Sequence, residues 1–204
     1  MVVYKLIYYD SRGSAEVIRL LLALVALPFE DVRYSQQGVK QWIQQYPGMT
    51  LPALEVDGEG PFCQRGAIAR YVARQTGLLS GNDLDDLRIN EVMEMSTEMH
   101  KRVFQMAGII DVDKKRELMD TFRNKTMQRY LDFFEKRLTE NRNGFLVGSK
   151  FTLGDVVIYD TLYLLDEFQF DPFKDRPLLR EHSDKVAASP GIAKWLNDRP
   201  ETTY

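Results

Sequence analysis

The hydrophobic period of this chain changes once, near Leu78, and that change limits the fold more than any single motif. Up to residue 77, short stretches with alternating apolar positions are interleaved with stretches of helical period; beyond it only the helical period persists. A strand can bury one face at period two, whereas a helix needs apolar positions three and four apart. The two parts therefore need different cores. We read residues 1–77 as a mixed α/β domain and residues 84–204 as an all-α domain, joined by the linker GLLSGND, Gly77 to Asp83.

In the first part, Tyr4, Leu6 and Tyr8 alternate with Lys5 and Ile7, which predicts a strand. A helix is expected over Ser14 to Leu27, ended by Pro28. FEDVRY, Phe29 to Tyr34, predicts a second strand. The Gln-rich polar stretch that follows runs as irregular chain to the breakers Tyr46-Pro47-Gly48. ALEVDGEGPFC predicts a hairpin, turning at Asp57-Gly58-Glu59-Gly60. Gln64 to Thr76 reads as a helix with Gly77 as its C′ residue. The order β-α-β followed by β-β-α, with a parallel first pair and an antiparallel hairpin, is the thioredoxin-like arrangement. In the second part, Leu84 to Met106 and Leu118 to Leu138 carry helical spacing. Thr152 and Asp155 form a capping box before Val156, Val157 and Ile158. Ile192 to Leu196 lies in a last helix.

The chain has 204 residues, a net charge of -3, 44% hydrophobic and 28% charged residues. A mildly acidic chain is not expected to bind nucleic acid, and no stretch reaches the roughly 18 apolar residues that span a bilayer. The start lacks the pattern of a signal peptide. Cys63 is the only cysteine, so no internal disulfide is possible, and a reducing, cytoplasmic setting is expected. His100 and His182 are far apart without a ligand set, so no metal site is expected.

YKLIYYDSRGSAEVIR, LPALEVDG with Pro52, QRGAIARYVAR, GFLVGSKFTLGDV and KWLNDRPETTY occur in an order and spacing that resemble a cytosolic glutathione transferase, most like the sigma class and its nematode relatives. The resemblance covers the whole chain. It implies a thioredoxin-like domain that binds glutathione as co-substrate and a helical domain that forms the pocket for a hydrophobic electrophile. It also implies a homodimer without metal. The activity implied is conjugation of the glutathione thiolate to small hydrophobic electrophiles, with reduction of hydroperoxides as an extension. The alternative is a non-catalytic relative that binds apolar ligands or serves a structural role.

The resemblance also assigns residues. Tyr8, at the end of the first strand, would aim its hydroxyl at the glutathione sulfur, because a phenol that donates to a thiolate favours the anion. Leu51, before a cis Pro52, would pair its backbone with the cysteinyl part of glutathione. Gln64 and Arg65 would hold the γ-glutamyl carboxylate at a helix N-terminus. Relatives have serine at the position of Arg65, which leaves two readings: its guanidinium grips the carboxylate, or it fills the ligand's space. Val39 and Ile43 stand where relatives carry a tryptophan and a lysine. Trp42 and Lys40, nearby but off register, either substitute at the glycyl end or leave Trp42 to pack. Glu98 matches an acid that crosses the dimer interface, or is a surface glutamate. Tyr9, Ser14, Met99 and Val157 are assigned to the electrophile pocket, with Ser14 in place of an arginine.

Overall fold

The computed structural model describes residues 2–202; Thr203 and Tyr204, which close the KWLNDRPETTY ending, lie outside the described residues. The chain divides into two compact units. The first is Met1–Gly77 together with Ala188–Tyr204, and the second is Leu78–Ala187. The last helix was expected in the all-α part, but it groups with the α/β unit.

The first unit is built from β1 (Tyr4–Tyr9), α1 (Glu16–Leu24), β2 (Phe29–Tyr34), α2 (Gln36–Gln45), β3 (Ala53–Val56), β4 (Glu59–Cys63), α3 (Arg65–Gln75) and α9 (Pro190–Asp198). The sheet order is β2-β1-β3-β4. β1 runs parallel to β2 and antiparallel to β3, and β3 and β4 form the hairpin. This is the thioredoxin-like mixed sheet read from the sequence. Both faces of β1 are covered: Leu6 and Ile7 are each buried. The stretch read as irregular is in fact α2. Ser35 caps it by accepting from the Gly38 N–H at 3.2 Å. Its apolar residues Val39 and Trp42 are buried, and Trp42 packs with Ile7 and Ala53. The helix α9 packs on α1, and its Trp195 ring lies 5.8 Å from Phe29.

The second unit consists of α4 (Asp83–Ala107), α5 (Val112–Thr121), a π-helical segment Phe122–Met127, α6 (Gln128–Asn141), α7 (Leu153–Glu167) and α8 (Pro177–Ala187). The helix α7 is buried on nearly every side, which marks it as the unit's centre. It packs on α4, with a Ser96–Thr161 hydrogen bond of 2.5 Å and a His100–Asp160 contact of 3.3 Å between them. The capping box is formed: the Asp155 carboxylate accepts from the Thr152 N–H and hydroxyl, both at 2.8 Å. The same carboxylate also accepts from the Leu146 N–H (2.7 Å) and pairs with His182 Nε2 of α8 (3.1 Å). None of the described helices is long and apolar enough to cross a membrane.

Candidate active site

Sheet register alone brings three of the expected residues to one end of the first unit. Ile7 of β1 lies opposite Ala53 of β3, and Ala53 lies opposite Cys63 of β4. Tyr8, Pro52 and Gln64 are each the next residue outward, Tyr8 on β1, Pro52 just before β3 and Gln64 just after β4. The Leu51–Pro52 bond is cis. Gln64 Nε2 reaches Thr50 Oγ1 at 3.5 Å. Gln64 itself has φ 79 and ψ 109, a left-handed region that costs a non-glycine residue about 1–3 kcal/mol. Such strain, held at the N-terminus of α3, aims backbone groups that a relaxed strand end would not present.

Tyr8 is 8% exposed. After β1 the chain turns through Asp10, Ser11 and Arg12, then enters a short 3-10 turn at Gly13–Ala15. That turn brings the Ser14 N–H to 3.0 Å from Tyr8 Oη, which accepts its hydrogen bond. A phenol has one proton and two lone pairs. With one lone pair engaged, the hydroxyl is oriented and its proton is left to donate outward. Gly13 has φ 43, and a Cβ there would sit 2.6 Å from the Tyr8 oxygen. Only glycine fits. Tyr9 is partly exposed and meets the Tyr8 ring edge to face, with centroids 5.4 Å apart.

The remaining expected residues fall in different places. Arg65 opens α3 and is 6% exposed, so its guanidinium lies in the protein and not out in solvent. Lys40 is exposed on α2. Trp42 is a core residue: its ring lies tilted against Tyr46 with centroids 5.0 Å apart, and it packs on Ile7 and Ala53. Ser14 contributes its backbone N–H. Met99 on α4 and Val157 on α7 are fully buried in the second unit. Glu98 is engaged within that unit. Arg102 donates to it through Nε (3.0 Å) and Nη2 (2.5 Å), and hydrogen bonds from Tyr130 and Arg102 hold its carboxyl below the ordinary range. Among the described residues no group of three or more His, Cys, Asp or Glu side chains is placed to hold a metal.

Two residues escaped the sequence reading: Gly13 and the backbone of Ser14. The DSRG turn after an aromatic strand was the available signal, but nothing in it indicated that a main-chain N–H would meet the tyrosine.

Comparison with known proteins matches residues 4–74 to the glutathione S-transferase N-terminal domain and residues 97–199 to the C-terminal domain. Glutathione S-transferase 1 of Ascaris suum is 30% identical over 205 residues, covering 98% of each chain. S-crystallin SL11 of Nototodarus sloanii is 30% identical over 203 residues, again covering 98% of each. Among solved structures, monomeric Na-GST-3, a glutathione S-transferase of the hookworm Necator americanus, superposes with a TM-score of 0.86 at 26% identity, over 98% of this chain and 99% of that one. The chain belongs to the glutathione S-transferase family.

Proposed function

We propose that the first unit binds glutathione at the sheet end where Tyr8, Leu51–Pro52 and Gln64–Arg65 converge, and that the bound thiolate attacks small hydrophobic electrophiles. The observation that carries this reading is the Ser14 N–H to Tyr8 hydrogen bond, which leaves a fixed phenolic O–H to donate. A thiol is a weak nucleophile until ionised. A hydrogen bond to a charged acceptor is worth about 1.5–3 kcal/mol, so a donor at the sulfur would lower the thiol pKa by roughly one to two units. The thiolate then displaces a leaving group or adds to an activated carbon, giving a thioether. With a hydroperoxide, two glutathione molecules give the alcohol, water and glutathione disulfide. The backbone of Leu51 pairs with the cysteinyl part, the α3 N-terminus and Arg65 meet the γ-glutamyl carboxylate, and Lys40 offers a cation for the glycyl end. This chemistry belongs in the cytoplasm, where thiols stay reduced.

The test is calorimetric titration of the purified protein with glutathione, followed by conjugation to chlorodinitrobenzene for the wild type and Tyr8→Phe. We expect saturable binding in both. Tyr8→Phe keeps the fold, slows conjugation by about ten- to a hundredfold, and moves the pH midpoint of the rate upward by one to two units. An unchanged rate and profile would remove Tyr8 from the chemistry. Affinity for an apolar ligand with none for glutathione would favour the non-catalytic alternative.

A further inference from the structure

A chain of buried ionic contacts runs through the first unit. Glu16, at the start of α1, is 1% exposed. Its Oε1 accepts from Trp195 Nε1 at 2.9 Å and from Arg199 Nη1 at 2.7 Å, at the end of α9 and 179 and 183 residues away in sequence. Its Oε2 accepts from Arg19 Nη1 at 3.2 Å. Arg19 is fully buried, and its Nε donates to Asp31 Oδ1 of β2 at 3.0 Å. Asp31 also accepts from Arg33 Nε at 2.7 Å. Arg19 Nη1 makes two more contacts, to the carbonyls of Ser11 (2.9 Å) and Arg12 (3.1 Å). Those carbonyls belong to the turn that continues through Gly13 to the Ser14 N–H.

We infer that Arg199, acting through Glu16 and Arg19, is a positioning residue for Tyr8, because it lets Arg19 hold the Ser11–Arg12 turn so that the Ser14 N–H stays on the phenol oxygen. The inference rests on the role proposed for Tyr8. A guanidinium nitrogen Nη1 has two hydrogens, and here it serves three acceptors. How that donor is shared depends on how strongly each acceptor is satisfied elsewhere. Glu16 is a buried carboxylate, and it keeps only a fractional claim on Arg19 because Arg199 and Trp195 satisfy its other oxygen. Without Arg199 the carboxylate is left undercompensated in a medium where an unpaired charge is costly. It then draws Arg19 Nη1 away from the two carbonyls, and the turn loses its internal anchor. The Ser14 donor is two residues beyond that anchor. A shift of about 1 Å there is enough to misalign a hydrogen bond on which a reacting group depends.

Exchange of the Ser14 amide with solvent, measured by NMR on the full chain, reads this directly and needs no ligand. The wild type is expected to protect Ser14, and Tyr8→Phe should remove that protection. Arg199→Met should lower it about tenfold while the Leu6 and Leu54 amides keep theirs, and Arg199→Lys should restore most of it. Trp195→Phe, which removes one Glu16 donor and keeps a ring, should give a smaller loss in the same direction, and it serves if Arg199→Met does not fold. With glutathione bound, Arg199→Met should raise the pH midpoint of thiolate formation by about half a unit to one unit, with affinity altered less than twofold. Unchanged Ser14 protection in both variants overturns the inference. So does a uniform fall of Ser14 and strand amides, which would make Arg199 a stability residue only. If the wild type binds no glutathione, the function of the site fails, while the exchange pattern still decides the positioning role.

Discussion

A methyl group on Gly13 would meet the Tyr8 oxygen at 2.6 Å and its ring carbon at 2.8 Å, in a backbone region with φ 43. Neither neighbour is the end of a long flexible chain, so the ring must move. Gly13→Ala should therefore destabilise by about 1–3 kcal/mol, read as a lower urea midpoint, and should slow conjugation by at least tenfold because the hydroxyl is displaced. A variant with a normal rate would show that the Tyr8 position does not matter. Arg65 is the other residue whose position sets the size of its expected effect. Its side chain is buried, not spread on the surface. A charge-assisted contact there should be worth about 1.5–3 kcal/mol, so Arg65→Ala should weaken glutathione binding roughly ten- to a hundredfold. Tighter binding by Arg65→Ser would mean that the guanidinium obstructs the site. At this scale the sequence singled out Tyr8, because the chemistry proposed for it belongs to a side chain whose type can be read directly. It was silent on the Ser14 main-chain N–H that meets the Tyr8 oxygen, since any residue supplies one.

Elements were legible in proportion to how much apolar surface they bury. β1, α1, the β3–β4 hairpin, α4 and α7 stand out because their buried positions follow a clear period. Two helices did not. α2 buries only Val39 and Trp42 in a run of glutamines, and its start depends on Ser35, a cap that reads equally well as a loop residue. α8 starts at Pro177 and relies on Leu179, His182 and Val186, and its tie to α7 is polar. Asp155 carries that tie together with the α7 cap, so the two changes in the box should differ in size. Thr152→Ala removes one cap contact and should cost about 1 kcal/mol. Asp155→Ala strips the acceptor from buried donors of Thr152, Leu146 and His182 and should cost roughly 3–5 kcal/mol; equal urea midpoints would contradict this. A second tie joins α6 to α4 through Tyr130 and Glu98. Burial, with the hydrogen bond to the Glu98 carboxylate, pushes the Tyr130 phenol up to about 12. Between its ordinary value of 10.0 and about 12 the folded protein keeps this proton and the unfolded chain releases it. Stability from this group is thus complete below the lower value and is lost as pH rises toward the upper one. Tyr130→Phe should flatten the alkaline fall in urea midpoint across that window, and an unchanged slope would place the sensitivity elsewhere.

Beyond the single chain, the first unit has one face that its own elements leave uncovered. Leu54, Val56, Phe62, Cys63, Ile68 and Tyr71 line a mainly apolar groove of about 570 Å³ beside β4. Phe62 is 54% exposed and Tyr71 39% exposed. β4 is an edge strand of the sheet, and Pro61 removes a donor from it, so addition of another strand is opposed. Any partner must therefore use side chains. We propose that a second copy of the chain covers this face, in keeping with the homodimer that the family resemblance implies, through an interface of the 1,200–2,000 Å² that stable pairs bury. Sedimentation at micromolar concentration should then give about 47 kDa, twice the 23.7 kDa chain. Phe62→Glu puts a charge where an aromatic ring would be buried. It should weaken association by about 2 kcal/mol or more, roughly thirtyfold in dissociation constant, and shift the protein toward monomer. The substitution is at an exposed position, so the melting temperature of the monomer should stay close to that of the wild type diluted below its dissociation constant. A wild type that sediments as a monomer, as the hookworm relative is described, would end the proposal. A dimer unaffected by Phe62→Glu would move the interface to another face and leave the groove without an occupant.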